Sequence, residues 1–286
     1  MVWEQVLDVF RKPIEQKGYY HWDQSFQAFK REHNLEAQQR APQYLSLDFY
    51  SQQRPELTDL QWYVIRLGRG NFGIFDEGRI PKPYLNLDIS TAKIIENEPM
   101  KSYQKMRRAF KSLDYSLKSA ENSLLELSRF YGVFGTMVSE IDGSSEYQVG
   151  PRGLSTQRFD LYFKQVNKEP LQLEYNGQVE LDYSIWTENR VFVVEAKSIT
   201  NYGLDVGWHK MAFPSHRFVN QVVENGLKVN PVYFLRTRIE GKHTILVFVF
   251  TEMKFKDMGI VLNDGERWEL LKVLRVDIEN IDSQLR

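Results

Sequence analysis

The sequence contains no cysteine. Disulfides, cysteine-ligated zinc sites and iron–sulfur clusters are therefore excluded, and a reducing interior is the simplest compartment. The formal net charge is only −1, so any argument for a polyanionic partner has to rest on local charge. The longest apolar run, around residues 245–250, is far too short to span a membrane. Because the first residues also lack the basic-then-apolar order of a signal peptide, we expect a cytoplasmic protein without a membrane partner.

The chain of 286 residues is long enough for one large domain or two modest ones. Residues 1–100 mix helical and strand-like patterns, which predicts an N-terminal α+β region. Residues 101–286 predict an α/β core in which a mixed central β-sheet is flanked by helices. Within that core, we expect one long helix from residue 101 to about 131 and a helix or mixed segment near residues 267–275.

A glycine-rich stretch, Gly68-Arg69-Gly70-Asn71-Phe72-Gly73, matches the GxGxxG pattern of dinucleotide-binding sites. Such a site needs a helix directly afterwards, whereas two prolines follow here at Pro81 and Pro83. The stretch also resembles a kinase glycine-rich loop, but no VAIK, HRD or DFG motif follows it. We therefore predict a glycine-rich β-hairpin. Its neighbouring arginines Arg66, Arg69 and Arg79 are candidates for base or phosphate contacts, because arginine forks match guanine edges.

Residues 180–198, ELDYSIWTENRVFVVEAKS, predict two strands joined by a tight turn. Glu188-Asn189 suits a two-residue turn, which would pair Thr187 with Arg190. In this register, the numbers of all paired residues sum to 377. The second strand carries apolar residues on both faces, which is typical of a central, covered strand.

Four charged side chains fall on one face near the end of this hairpin. The register sets Asp182 opposite Glu195 and Glu180 opposite Lys197, and the two-residue period keeps all four on the same face. Two facing carboxylates repel each other unless a cation neutralises them, and Mg²⁺ prefers such oxygen ligands. Lys197 is suited to hold or deprotonate a water, or to stabilise charge that develops on a phosphate. The alternative is a solvated strand end with an ordinary Glu180–Lys197 ion pair. Against it, charges at the end of a covered strand line a cleft, and burying a charged group without a partner costs free energy.

Asp182, followed by Glu195-Ala196-Lys197 at the end of the next strand, resembles the motif of the PD-(D/E)xK nuclease superfamily, although the proline of that motif is absent here. The resemblance covers about residues 105–250. It implies a restriction-endonuclease-like fold and a Mg²⁺-dependent hydrolase of DNA phosphodiester bonds. It further implies that Asp182 and Glu195 are metal ligands, that the carbonyl of Ala196 is a third ligand and that Lys197 is the catalytic lysine.

Many members of this superfamily add a carboxylate from a helix that precedes the sheet. The predicted helix offers Glu121, at the edge of its apolar face, and Glu126, which lies nearly opposite. We expect Glu121 to be the fourth catalytic residue; the alternative is that both are surface glutamates. Glu180 is a possible further ligand or the partner of Lys197. Gln221 is an expected accessory residue, because similar nucleases present a glutamine or lysine from the helix after the motif.

Residues 101–118 carry six basic side chains against one acidic side chain, with aromatic residues interleaved. This local excess predicts contacts with a phosphate backbone, and the alternative is an ordinary solvated helix face. The expected nucleic-acid-binding residues are Lys105, Arg107, Arg108, Lys111, Arg69 and Lys210. His209, next to Lys210, is more typical of a plain surface histidine.

These expectations favour a site-specific type II restriction endonuclease that acts with Mg²⁺ on double-stranded DNA. Palindromic sites demand two-fold symmetry, so a homodimer is expected, and the N-terminal region would add target recognition or dimer contacts. Two alternatives stay open. One is a repair or defence nuclease directed to DNA ends or structures, and the other is a catalytically inactive nucleic-acid-binding protein of the same fold.

Overall fold

The computed structural model describes residues 2–22, 26–32, 49–95, 121–198, 204–263 and 268–278. The described helices are α1 (Val2–Lys17), α2 (Phe26–Glu32), α3 (Pro55–Asp59), α4 (Glu121–Phe130), α5 (Val133–Asp142), α6 (His209–Ser215) and α7 (Val219–Asn225). The described strands are β1 (Tyr19–Trp22), β2 (Trp62–Gly68), β3 (Asn71–Asp76), β4 (Tyr84–Asn86), β5 (Lys93–Ile94), β6 (Gln148–Val149), β7 (Gly153–Gln165), β8 (Lys168–Leu181), β9 (Tyr183–Trp186), β10 (Arg190–Ser198), β11 (Asp205–Gly207), β12 (Lys228–Ile239), β13 (Lys242–Phe250), β14 (Phe255–Lys256), β15 (Gly259–Val261) and β16 (Leu270–Ile278). The predicted mixed α/β class is confirmed, with strands predominating.

The largest sheet has the strand order β5-β16-β13-β12-β10-β9-β6. Strand β10 runs parallel to β12 and antiparallel to β9, so the sheet is mixed, as expected. The predicted hairpin register is confirmed from the turn to the pair of Val194 with Tyr183. The ladder between β9 and β10 ends at that pair, so the predicted pairs of Asp182 with Glu195 and of Glu180 with Lys197 are not part of it. The backbone N–H of Thr187 donates to the carbonyl of Arg190 at 3.0 Å and closes the turn.

Strand β10 is covered on both faces. On one face, Phe192 and Val194 pack with Phe134 and other apolar residues of α4 and α5. On the other face, Val191 and Val193 join a core that includes residues of α6 and of the β7–β8 hairpin. The alternation predicted from the sequence is therefore confirmed, and it places Glu195 on the face of α6.

The N-terminal strands form a three-stranded sheet in the order β1-β3-β2. One face packs against α1, α2 and α3 in a small core that contains Phe10 and Trp22. The other face, through Tyr63 and Ile65, joins the core of the central sheet. The predicted glycine-rich hairpin is confirmed: β2 and β3 pair antiparallel, and Arg69 at their turn has a φ of 48°.

The 13-residue strand β7 and the 14-residue strand β8 form a long antiparallel hairpin within a four-stranded sheet of order β14-β15-β7-β8. Strand β8 ends at Leu181 and β9 begins at Tyr183, so the chain passes from this sheet into the central sheet at Asp182. This transition sets the position of the first residue of the predicted motif.

One predicted segment differs from the structure. The segment near residues 267–275, expected to be a helix or mixed segment, is largely strand β16, which pairs antiparallel with β13 and buries Val273, Leu274 and Val276. Residues 101–120 lie outside the described part of the chain. The described end of the long predicted helix is α4, after which Gly132, with a φ of 66°, separates it from α5. None of the described helices is long and apolar enough to cross a membrane.

Candidate functional site

A cavity of about 240 Å³ lies where β8, β10, α6 and the N-terminal strand β2 meet. Apolar walls come in part from Tyr175 and Phe213, which belong to the shared core. The charged and titratable residues that line the cavity are Arg66, Glu180, Asp182, Glu195, Lys197, His209 and Lys210. The cavity therefore contains the predicted motif together with charged residues from other parts of the chain.

Asp182 occupies the break between β8 and β9. Its Oδ2 atom accepts a hydrogen bond of 2.8 Å from the backbone N–H of Ala196, so the side chain is bonded to β10 just beyond the last β9–β10 pair. This bond holds the Asp182 carboxylate against the end of β10. Asp182 and Glu195 then line the same cavity, on the same side of the sheet.

Glu195 is a buried carboxyl group with only 8% of its surface exposed. Burial raises the pKa of Glu195 to about 8, and the neighbouring Asp182 carboxylate adds to the rise. The ammonium groups of Lys197 and Lys210 oppose it without cancelling it. The two lysines therefore offset only part of the cost of burying Glu195 next to the Asp182 carboxylate.

Lys197 extends into the cavity beside Glu195. Its Nζ atom lies 3.2 Å from Oε1 of Glu195, and both side chains are largely shielded from solvent. The expected register of Glu180 is wrong, because Glu180 pairs with Leu154 of β7 rather than with Lys197. The reason is the change of sheet at Asp182: residues before it belong to the β7–β8 hairpin. The Glu180 side chain nevertheless lines the same cavity.

The remaining predicted residues are distributed unevenly around the cavity. Lys210 lines it from α6, as does His209, whose ring also packs edge to face on Tyr84. Gln221, on α7, and Arg69, at the tip of the β2–β3 hairpin, do not line it.

The other predicted residues are Glu121, four basic residues of the long predicted helix, and Ala196. Glu121 is the first residue of α4, and its catalytic role stays a prediction. The predicted basic residues Lys105, Arg107, Arg108 and Lys111 lie outside the described residues. Ala196, whose carbonyl is the expected third ligand, has a side chain buried on the opposite face of the sheet, against α4 and α5.

The sequence pattern did not reveal that strand β2 reaches this cavity. Arg66 and Val64 of β2 line it together with the motif, although they are more than one hundred residues away from Asp182 along the chain. In the sequence, only the chemistry of its side chain makes Arg66 a candidate for base or phosphate contacts. No local signal links it to Asp182, because their proximity depends on the packing of β2 against β8.

The fold and the cavity define a mixed α/β protein with acidic and basic side chains gathered at the end of a covered central strand. Residues 89–263, more than half of the chain, match the model of a family described as a domain of unknown function, DUF6997, and the chain belongs to this family. The matched segment includes Asp182, Glu195 and Lys197, whereas Arg66 precedes it. Neither the curated proteins nor the solved structures contain a match.

Proposed function

We propose that this protein is a Mg²⁺-dependent deoxyribonuclease that hydrolyses internal phosphodiester bonds of double-stranded DNA. The observation that carries the proposal is the convergence of Asp182, Glu195 and Lys197 in one cavity at the end of a strand that is buried on both faces. A mixed sheet with β9 antiparallel and β12 parallel to β10 further supports the proposal of a restriction-endonuclease-like core.

The residues present fit a magnesium ion by their chemistry. Mg²⁺ takes hard oxygen ligands, often one or two carboxylates, and completes its coordination with waters and substrate phosphate oxygens. Asp182, Glu195 and the carbonyl of Ala196 would supply such a set. Within the part of the chain that the structure describes, no group of three or more histidine, aspartate or glutamate side chains is arranged as a metal site. Because the proposed set contains only two carboxylates and one carbonyl, Mg²⁺ bound there would keep positions for water and substrate.

The electrostatics of the cavity also favour a divalent cation. The pKa of Glu195 is about 8, because burial and the neighbouring carboxylate of Asp182 disfavour its ionised form. A bound Mg²⁺ would supply Lewis-acid stabilisation of the phosphate and a more acidic water. Deprotonated Glu195 and Asp182 would provide the binding charge for it.

Lys197 is the residue that we assign to the reacting phosphate. Its ammonium group donates to Glu195, which orients it within the cavity at a contact of 3.2 Å. A compact, shielded positive charge at this position would orient a water or stabilise negative charge on the phosphate oxygens. Lys210 would add further positive charge from the α6 wall, where it already lowers the pKa of Glu195.

Asp182→Asn and Lys197→Met test this assignment on supercoiled plasmid DNA with Mg²⁺. The asparagine keeps an oxygen that can accept the Ala196 N–H, so the change removes charge more than structure. We expect each variant to lose cleavage by about 10²–10³-fold or more, the effect of losing one transition-state charge contact, and to keep DNA binding. Glu188→Gln, at the exposed turn of the same hairpin, is the matched control and should cleave like the wild type.

The products and the metal dependence distinguish the alternatives. Discrete bands support a site-specific type II restriction enzyme, whereas end-dependent loss of linear DNA supports a repair or defence nuclease. Full cutting by either active-site variant would refute the assignment. Binding of DNA without cleavage and without carboxylate-dependent Mg²⁺ binding by calorimetry would identify a catalytically inactive member of the same fold.

A further inference from the structure

We propose that Arg66, on the N-terminal β2–β3 hairpin, binds a phosphate group of the substrate inside the cavity that contains Asp182, Glu195 and Lys197. The N-terminal region would then be part of the reaction site, in addition to any role in target recognition. The inference rests on the proposed nuclease function. It deepens that function by assigning a phosphate contact outside the Asp–Glu–Lys motif.

Strand β2 is held against β8 by direct contact between backbones. Gly68 lies so close to Asn176 and Gly177 that a Cβ atom on Gly68 would overlap the Asn176 carbonyl. A Cβ atom on Gly177 would in turn lie 2.7 Å from the Cα atom of Gly68. Two glycines therefore allow an approach that any side chain would prevent, and β8 is the strand that leads into Asp182.

The position of Arg66 is fixed by its neighbours in β2. Ile65 and Leu67 are buried in the core that β2 shares with the central sheet, whereas Arg66 between them is exposed. Because alternate residues of a strand point to opposite sides, Arg66 shares a face of β2 with Val64, and both residues line the cavity. The arginine does not depend on a mobile loop for its placement.

The charges around the cavity suit a phosphate at this position. Arg66 approaches from β2, Lys197 from β10 and Lys210 from α6, so cations lie on three walls. Within the described part of the chain, Arg66 has no hydrogen bond or ion pair with a carboxylate. A guanidinium group can donate two parallel hydrogen bonds to phosphate oxygens, which makes arginine the residue best suited to such a contact.

The alternative role for Arg66 is purely structural: its charge would offset the carboxylates of the cavity, Glu180 included, without touching substrate. The two roles predict different measurements. A phosphate contact contributes to the salt dependence of DNA binding, because each neutralised phosphate releases counterions. A structural cation contributes to thermal stability and leaves that salt dependence unchanged.

The test compares wild type, Arg66→Ala, Arg66→Lys and Arg11→Ala by fluorescence anisotropy. The ligand is a labelled mixed-sequence DNA duplex, and Ca²⁺ replaces Mg²⁺ to prevent turnover.

We expect Arg66→Ala to bind the duplex about 10- to 100-fold more weakly, which is the cost of losing hydrogen bonds to a charged group. The slope of log K against log[salt] should become shallower by about 0.9, one phosphate contact. Arg66→Lys should restore the slope and only part of the affinity. Arg11, exposed on α1 beside Asp8 and not among the residues that line the cavity, is the control and should change neither.

Parallel cleavage assays in Mg²⁺ separate the failure of this inference from that of the proposed function. If the wild type cleaves DNA and Arg66→Ala binds with unchanged affinity and slope, the inference is overturned and the nuclease stands. A lower melting temperature of Arg66→Ala with an unchanged slope also overturns it, in favour of the structural role. If the wild type neither binds nor cleaves the duplex, both proposals fail together.

Discussion

The burial of Glu195 raises the pKa of its carboxyl group, and this has a consequence for stability. Its pKa in the folded protein is about 8, against an ordinary value of 4.5. Below pH 4.5 the group is protonated in both the folded and unfolded states. Between about pH 4.5 and 8, the unfolded chain ionises first, so the folded state holds more protons and stability falls as the pH rises. Above pH 8 the penalty is fully present.

We therefore predict that Glu195→Gln stabilises the metal-free protein in a pH-dependent way. The amide cannot ionise, so the variant avoids the penalty, and its melting temperature should exceed that of the wild type at pH 8.5. At pH 5 the two should nearly coincide. Thermal unfolding in EDTA at both pH values measures the effect, with Glu188→Gln as a control on the exposed turn. Equal differences from wild type at pH 5 and pH 8.5 would contradict the burial argument for Glu195.

At the scale of elements, the cavity depends on two places where strands are forced together. One is Asp182, where the chain leaves the β7–β8 hairpin and enters the central sheet, and where a side-chain hydrogen bond to Ala196 extends the contact with β10. The other is the Gly68–Gly177 contact, which brings β2 onto β8. A residue with a side chain at either glycine would separate these strands.

Gly177→Ala should destabilise the protein by about 1–3 kcal/mol, because the added methyl group would meet the backbone of β2 and force the strands apart. Urea unfolding measures the change in the free energy of unfolding. Cleavage should fall as well, since the shift moves Arg66 away from the cavity. Gly135→Ala in α5 is the matched control: its Cβ atom would lie 3.7 Å from Tyr147, an ordinary contact, and alanine favours a helix. A Gly177 variant as stable and as active as the control would contradict the close-contact argument.

At the scale of the whole molecule, one apolar core joins the N-terminal sheet, the β7–β8 hairpin, α6 and one face of the central sheet. The cavity lies at the junction of these parts. A ligand bound there should therefore stabilise the cooperative unfolding unit that they form. The division of the chain at residue 100 and the expected homodimer stay predictions.

Mg²⁺ should raise the melting temperature of the wild type and not that of Asp182→Asn. Binding to the folded state alone stabilises it by about 2.7 kcal/mol when the cation is at about 100 times its Kd. Differential scanning fluorimetry with and without MgCl₂ measures the shift. Asp8→Asn, an exposed carboxylate on α1, controls for general salt effects and should shift like the wild type. An equal shift in the Asp182 variant would place the stabilising cation elsewhere.

The β9–β10 hairpin was predictable from its turn as far as the pair of Tyr183 with Val194, because its determinants are local. A two-residue turn sets the register, and the two-residue period of a strand then decides which side chains share a face. The pairing of Val191 with Trp186 and the two-sided burial of β10 follow from these rules alone. The turn at Arg69-Gly70 was predictable for the same reason.

What the sequence did not determine depends on residues that are distant along the chain. The segment around Leu270–Ile278 has a helix-compatible pattern, yet pairing with β13 makes it a strand. Glu180 follows the β7–β8 hairpin because the chain changes sheets only at Asp182. Arg66 and Lys210 reach the cavity through the packing of β2 and α6 onto β8 and β10. The sequence by itself thus determined which acidic pair and which lysine stand together. Only the tertiary structure decided which other cations surround them, because close packing between separate elements has no local sequence signature.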